Sequence, residues 1–187
     1  MSLQRIFAFS LLTVSTTAMA DAIDVNLRDT SAQIQYSASM GRNTLGKSEA
    51  HAGILFVDHN NTLGDLGILV KDDVGSGAPG VGVGVGIKGL VATVDNKDAM
   101  ALAIGGQVSY SPPTLTRLAI IAQLYLSPNI VTFGDADRYI ETGARVEYEV
   151  IPQAVAYLGY RKVKFGLGAF PDATLDEGVH VGVRIAF

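Results

Sequence analysis

The sequence predicts an all-β protein, an up-and-down antiparallel transmembrane β-barrel of about ten strands, with eight as the alternative. Three observations predict it. The first twenty residues have the form of an export signal. The rest of the chain is poor in charge and rich in glycine. Apolar residues recur at every second position in successive segments, up to an aromatic residue at the chain's end.

Residues 1–20 read as a signal peptide. Met1–Arg5 supplies the positive start, and Ile6 to Val14 is an apolar core interrupted only by Ser10 and Thr13. Ala18-Met19-Ala20 gives the small-x-small pattern of a cleavage site. The apolar run is too short to span a bilayer, and no stop-transfer segment follows it closely. Residues 21–187 are then one barrel domain destined for the bacterial outer membrane.

Composition narrows the choice. The chain has no cysteine, so in an oxidising compartment its closure rests on non-covalent contacts alone. The net charge of −4 argues against a nucleic-acid partner. Charged residues make up 17%, against roughly 25% in soluble domains, and 21 of 187 residues are glycine. A membrane helix needs roughly 20 mostly apolar residues. The candidates are Gly77 to Val94, which contains Pro79, Lys88 and many glycines, and Leu115 to Phe133, which is broken by Arg117 and Pro128. Both make poor helices.

The strands follow in order. Ile23, Val25 and Leu27 form a short first strand within Ala22–Arg28. Ser31 to Ser39 alternates through Ala32, Ile34, Tyr36 and Ala38. His51 to His59 is a strand by composition, with either face inward. Leu66, Ile68 and Val70 oppose Asp65, Gly67 and Lys71. Val81, Val83, Val85 and Ile87 alternate with Gly82, Gly84 and Gly86, glycines that let the wall curve and leave interior space. Met100, Leu102, Ile104, Val108 and Tyr110 face outward from Ala99 to Tyr110, and Leu118, Ile120, Ala122 and Leu124 from Thr116 to Leu126. Tyr139 to Val150 turns Tyr139, Glu141, Gly143, Arg145, Glu147 and Glu149 inward; Ala154 to Phe165 turns Tyr157, Gly159 and Arg161 inward. In the last strand Val179, Val181, Val183, Ile185 and Phe187 alternate with His180, Gly182, Arg184 and Ala186. Arg184 in lipid would cost about 2–4 kcal/mol near the midplane, which turns its face inward.

Single-chain bacterial barrels have even strand numbers, so the short first strand brings the count to ten. Gly41–Lys47, Asp72–Gly80, Ser111–Leu115 and Ile151–Gln153 become periplasmic connections. His59–Thr62, Asp95–Asp98, Ser127–Asp137 and Gly166–Glu177 become extracellular ones. Without tryptophan, the interface girdles fall to Tyr110, Tyr148, Tyr160 and Phe187.

Several of these stretches resemble YfaZ-type outer-membrane proteins. They are Phe133-Gly134-Asp135-x-Asp137-Arg138-Tyr139, Arg145-Val146-Glu147-Tyr148-Glu149-Val150, Tyr157-Leu158-Gly159-Tyr160-Arg161 and the terminal Val181 to Phe187. The likeness extends over the mature chain and is sharpest after about Ala99. It implies an outer-membrane barrel of about ten strands and no catalytic motif. The Val183, Ile185 and Phe187 ending is similar to the signature that barrel-insertion machinery reads.

The candidate chemistry lies inside the wall. Glu141, Arg145, Glu147, Arg161, His180 and Arg184 face inward on the last three strands. They form either a salt-bridge network that stiffens the barrel or the charged constriction of a narrow pore; both require the charges to meet. Gly82-x-Gly84-x-Gly86 lacks the strand–turn–helix setting of a phosphate loop. His59 beside Asp58, with Asp95 and Asp98, is the one rim constellation that an outer-membrane hydrolase could use. Asp135, Asp137, Asp172, Asp176 and Glu177 make the outer loops acidic. No catalytic, cofactor or metal site is expected. The expected surroundings are outer-membrane lipid and lipopolysaccharide, the insertion machinery, and small solutes or ions. The reading is a structural or narrow porin-like barrel with a charged lumen. The alternatives are a loop-mediated surface barrel that binds lipopolysaccharide, and a rim hydrolase. Val183→Arg is expected to block insertion, and the inward Gly182→Ser to be tolerated.

Overall fold

A computed structural model of the chain describes residues 21–58, 61–94, 97–134, 136–167 and 170–187. The signal peptide, His59, Asp95 and Asp135 lie outside them. The strands are β1 (Ala22–Leu27), β2 (Ser31–Asn43), β3 (Gly46–Val57), β4 (Asn61–Asp73), β5 (Val81–Val94), β6 (Lys97–Tyr110), β7 (Leu118–Ser127), β8 (Thr132–Gly134), β9 (Arg138–Ile151), β10 (Ala154–Leu167) and β11 (Phe170–Ala186). A short 3-10 turn, Asn129–Val131, separates β7 from β8.

Each wall strand pairs antiparallel with the next, and β1 closes the ring on β11 from Ala22↔Ala186 to Leu27↔Val181. The chain ends complete the seam: the Phe187 amide donates to the Asp21 carbonyl at 2.8 Å, and the Asp21 amide to the Phe187 carbonyl at 3.1 Å. β7 and β8 both pair with β6, at different heights, and together make one interrupted wall strand. The wall therefore has ten strands, and the eight-strand alternative is excluded. Closure satisfies the backbone at membrane depth without any exposed edge.

The outward rows match the predicted phase. Leu66 and Val85 are each 68% exposed, Ile104 61% and Val181 57%. Apolar exposure continued on every strand around the barrel belongs against lipid, not water. Polar pairs mark the upper limit of this band. Lys162 and Glu177 meet on the outer surface at 2.6 Å, one step above Tyr160, and Arg138 holds Asp172 at 2.8 Å. The open phase of β3 resolves with Glu49, His51, Gly53 and Leu55 inward and Ala52, Ile54 and Phe56 outward.

Two expected outer loops are largely wall. Gly166–Glu177 is not a loop: β10 runs to Leu167 and β11 starts at Phe170. The pairing shifts between Val163↔Asp176 and Lys164↔Thr174, so Leu175 is an extra residue. This bulge turns both Leu175 and Asp176 into the barrel, where each is 3% exposed. Asp176 is thus an interior residue and not part of an acidic loop surface. Ser127–Asp137 likewise contains the 3-10 turn and β8. The long periplasmic connection after β4 is real. It ends on Gly80 (φ +80°), which accepts the Ser111 amide at 2.7 Å. A Cβ at Gly80 would stand 2.1 Å from the Ser111 carbonyl oxygen, so only glycine fits.

Candidate functional site: the barrel lumen

Strand alternation delivers one side chain in two to the interior, and the interior divides into two zones. The outer zone is apolar. Leu55, Leu63, Leu90, Val94, Tyr139, Val163, Phe165 and Leu175 pack together with small alanines of β6, Ala99, Ala101 and Ala103. Phe165 is fully buried, and its ring stacks at a tilt on Tyr139 with centroids 5.1 Å apart. Below this cluster lies a polar cavity of about 480 Å³. Leu55, Leu63, Tyr139 and Val163 form its ceiling, and it runs to the periplasmic rim at Ser39, Lys71 and Ser111.

Three charge clusters cross the lumen. Just under the apolar zone, Lys88 donates to Glu141, which also accepts from the Tyr139 hydroxyl and from Gln123 Nε2 at 3.0 Å. Lys88 Nζ stands 4.5 Å from the Tyr125 ring centroid, a cation–π contact that compensates part of its desolvation. In the second cluster Arg161 Nε donates to Asp176 Oδ2 at 2.8 Å, and Arg28 Nη1 to Asp176 Oδ1 at 2.9 Å. Arg161 further donates to Gln33, which accepts from Asn26 at 2.9 Å. In the third, nearest the periplasm, Glu147 lies between two arginines: Arg184 Nη2 at 2.6 Å and Arg145 Nε at 2.8 Å. Nearby, Lys71 donates to Glu49 at 2.5 Å.

Glycines seat the bulky members. A Cβ at Gly182 would lie 2.3 Å from Tyr157 Cζ, so the ring rests on bare backbone while its hydroxyl donates to Asp24. This corrects the expectation that Gly182→Ser is tolerated: the position faces inward, but it is occupied. The strand of alternating Gly82, Gly84 and Gly86 serves the same purpose, receiving Ser109, Gln107 and Leu69 from its neighbours.

All six sequence-predicted lumen residues point inside, and their pairs run along one strand, between neighbouring strands and across more distant ones. Arg145, Glu147 and Arg184 meet one another. Glu141 reaches Lys88, and Arg161 reaches Asp176. His180 joins no ion pair among the described residues; its ring meets Tyr157 edge-on at 6.0 Å, and its Nδ1 is buried without a hydrogen-bond partner. Sequence reasoning passed over Lys88, Arg28 and Asp24 as lumen residues and placed Asp176 in an acidic outer loop. The signal for Lys88 was available, since Val81 to Ile87 outward puts Lys88 inward. Val183, Ile185 and Phe187 are outward and 45%, 51% and 66% exposed. Among the described residues, no group of three or more His, Cys, Asp or Glu side chains is arranged to hold a metal ion.

The family model described as "YfaZ precursor" matches residues 3–187. No curated protein sequence matches the chain. Among solved structures, a KdgM porin is similar at 11% identity and a TM-score of 0.44, covering 90% of this chain and 99% of the porin. A KdgM porin in complex with disordered oligogalacturonate gives the same values. A chain from work on in-meso crystallization of membrane proteins is similar at 11% identity and a TM-score of 0.42, covering 90% of this chain and 83% of that one.

Proposed function

The chain belongs to the YfaZ family, and from that premise we propose that this porin-like outer-membrane barrel is a narrow channel, closed at rest, with a charged lumen. The observation that supports this is the two-zone interior. A polar cavity reaches the periplasmic rim and ends under a packed apolar cluster. Ions and small polar solutes enter from the periplasmic side and pass only when Phe165, Leu55 and their neighbours move apart. The paired charges hold the narrow wall together, and the guanidinium groups of Arg145 and Arg184 that line the cavity set ion preference. The reading assigns no covalent chemistry. Outer-membrane lipid faces the apolar rows, lipopolysaccharide surrounds the outer rim, and the Val183–Ile185–Phe187 face is what the insertion machinery reads.

Planar-bilayer recording tests this. The wild-type barrel is expected to be silent or to open rarely. Phe165→Ala combined with Leu55→Ala is expected to give frequent discrete steps whose ion preference changes on adding Arg145→Ala. Steady wild-type conductance, unaltered by the Phe165 and Leu55 changes, would show that the outer cluster is no gate. Silence from every variant, with normal heat-shifted gel mobility, would make the barrel purely structural.

A further inference from the structure

Charged groups of opposite sign keep unused hydrogen-bonding capacity at the two ends of one cavity. Most interior carboxylates are neutralised: Glu49 by Lys71, Glu141 by Lys88, and Asp176 by Arg161 and Arg28, while Asp24 accepts from Tyr157. Asp65 is the exception among the described residues. It lines the cavity with His51 and Lys88, makes an ion pair with neither, and its Oδ2 is buried without a hydrogen-bond partner. Gly53 opposite leaves room for it, since a Cβ there would stand 3.1 Å from that oxygen. Asp65 lies at the upper end of the cavity, because the next inward residue on β4, Leu63, already belongs to the apolar ceiling.

The complementary donors lie lower down. Arg145 and Arg184 share the carboxylate of Glu147, Asp24 stands across from Arg184 on β1, and the two guanidinium groups keep several unused N–H donors. The two arginine side chains are 26% and 30% exposed, whereas Glu147 is 6% exposed, so here the cavity meets the guanidinium groups rather than Glu147. They stand on β9 and β11, which flank β10, the strand five places round the ten-strand ring from β4. Gln35 and Gln107 line the wall of the same cavity and offer amide donors and acceptors.

We propose that this cavity is a periplasm-facing binding site for an elongated zwitterion of the short-peptide class, its ammonium on Asp65 and its carboxylate on Arg145 and Arg184. The glutamines hydrogen-bond the amide groups between. A buried carboxylate oxygen without a hydrogen bond is costly until a partner arrives, and a ligand with an ammonium at one end and a carboxylate at the other engages both ends of the cavity at once. A compact anion would satisfy only the arginines. The proposal rests on the lumen assigned above to a closed narrow channel, but needs only the closed barrel and not conduction.

Calorimetric titration of the folded full barrel with triglycine tests it, against N-acetyl-triglycine, which lacks the ammonium, and triglycine amide, which lacks the carboxylate. Triglycine is expected to bind saturably, and each capped form roughly tenfold to a hundredfold more weakly, the range of one hydrogen bond to a charged group. Asp65→Asn is expected to abolish the preference over the acetylated form while keeping the preference over the amide; Arg184→Gln is expected to do the reverse. Equal binding of the capped forms, or no binding of triglycine by a barrel with normal heat-shifted mobility, overturns the proposal. A barrel that binds triglycine but stays silent even with Phe165→Ala and Leu55→Ala would sink the channel reading and leave this one standing; a gated channel that ignores triglycine would do the opposite.

Discussion

Replacing Lys88 by Met removes the cation at the centre of the lumen while keeping a flexible chain of similar length. The Lys88 and Glu141 side chains are only 6% and 9% exposed, so water cannot take the place of the lost partner. Glu141 would keep Tyr139 and Gln123 as donors but no charge to balance its own. Removing one member of such a buried pair costs about 3–5 kcal/mol. The contacts of Lys88 Nζ with the Tyr125 and Tyr139 rings, at 4.5 and 5.7 Å, are lost together with it. They are worth roughly 0.5–2 kcal/mol and overlap with the same loss, so the expected total stays near the range for the pair. Urea unfolding of the barrel in phospholipid vesicles, followed by heat-shifted gel mobility, measures it. The double variant Lys88→Met with Glu141→Gln leaves no uncompensated charge and is expected to recover most of the loss. A single-variant cost under about 1 kcal/mol, or a double variant as unstable as the single, would refute the claim that the Lys88–Glu141 pair is desolvated.

Four further changes read other parts of the wall. Val183→Arg puts a charge on an outward row and is expected to lower insertion into vesicles by about 2–4 kcal/mol, seen as a loss of the folded gel band. Gly182→Ser, on the opposite face, is expected to destabilise by about 1–3 kcal/mol because its Cβ displaces the Tyr157 ring; wild-type stability in the same urea assay would contradict that packing. Asp176→Ala strands Arg161 and Arg28 and is expected to cost about 3–5 kcal/mol. Asp172→Ala, four residues away in an exposed pair with Arg138, is expected to cost under about 1 kcal/mol. Similar costs for the two aspartates would mean that the segment is a loop after all.

Alternation carried most of the wall. In β9, β10 and β11 each outward residue is flanked by lipid and each inward one by protein, so the period of two is unbroken and the faces read directly from Ile140 to Val150 and from Val179 to Phe187. The signal fails where that contrast ends. Above the apolar band the outer surface is wet, so Asp172, Thr174 and Glu177 are as polar as a loop, and the bulge at Leu175 places two successive side chains inward. Periodicity also gives the face of a residue but not its partner. Lys88 and Glu141 are 53 residues apart and meet because the curved wall brings β5 within reach of β9, three places round the ring. The strand tilt that sets relative heights is a property of the closed barrel, invisible in any one segment.

The absence of cysteine allows the central claim, a lumen open at the periplasmic end and shut at the other, to be tested one site at a time. The barrel is reconstituted in sealed vesicles as two single-cysteine variants. Ser37→Cys lies in the cavity, and Asp172→Cys on the outer rim. A small membrane-impermeant thiol reagent is added outside. The account predicts complementary labelling: barrels that expose residue 172 leave residue 37 unreacted, and the two labelled fractions together make up the whole population. Complete labelling of residue 37 in every barrel, whichever way it faces, would mean that the reagent passes the apolar cluster, and the closed lumen would be wrong.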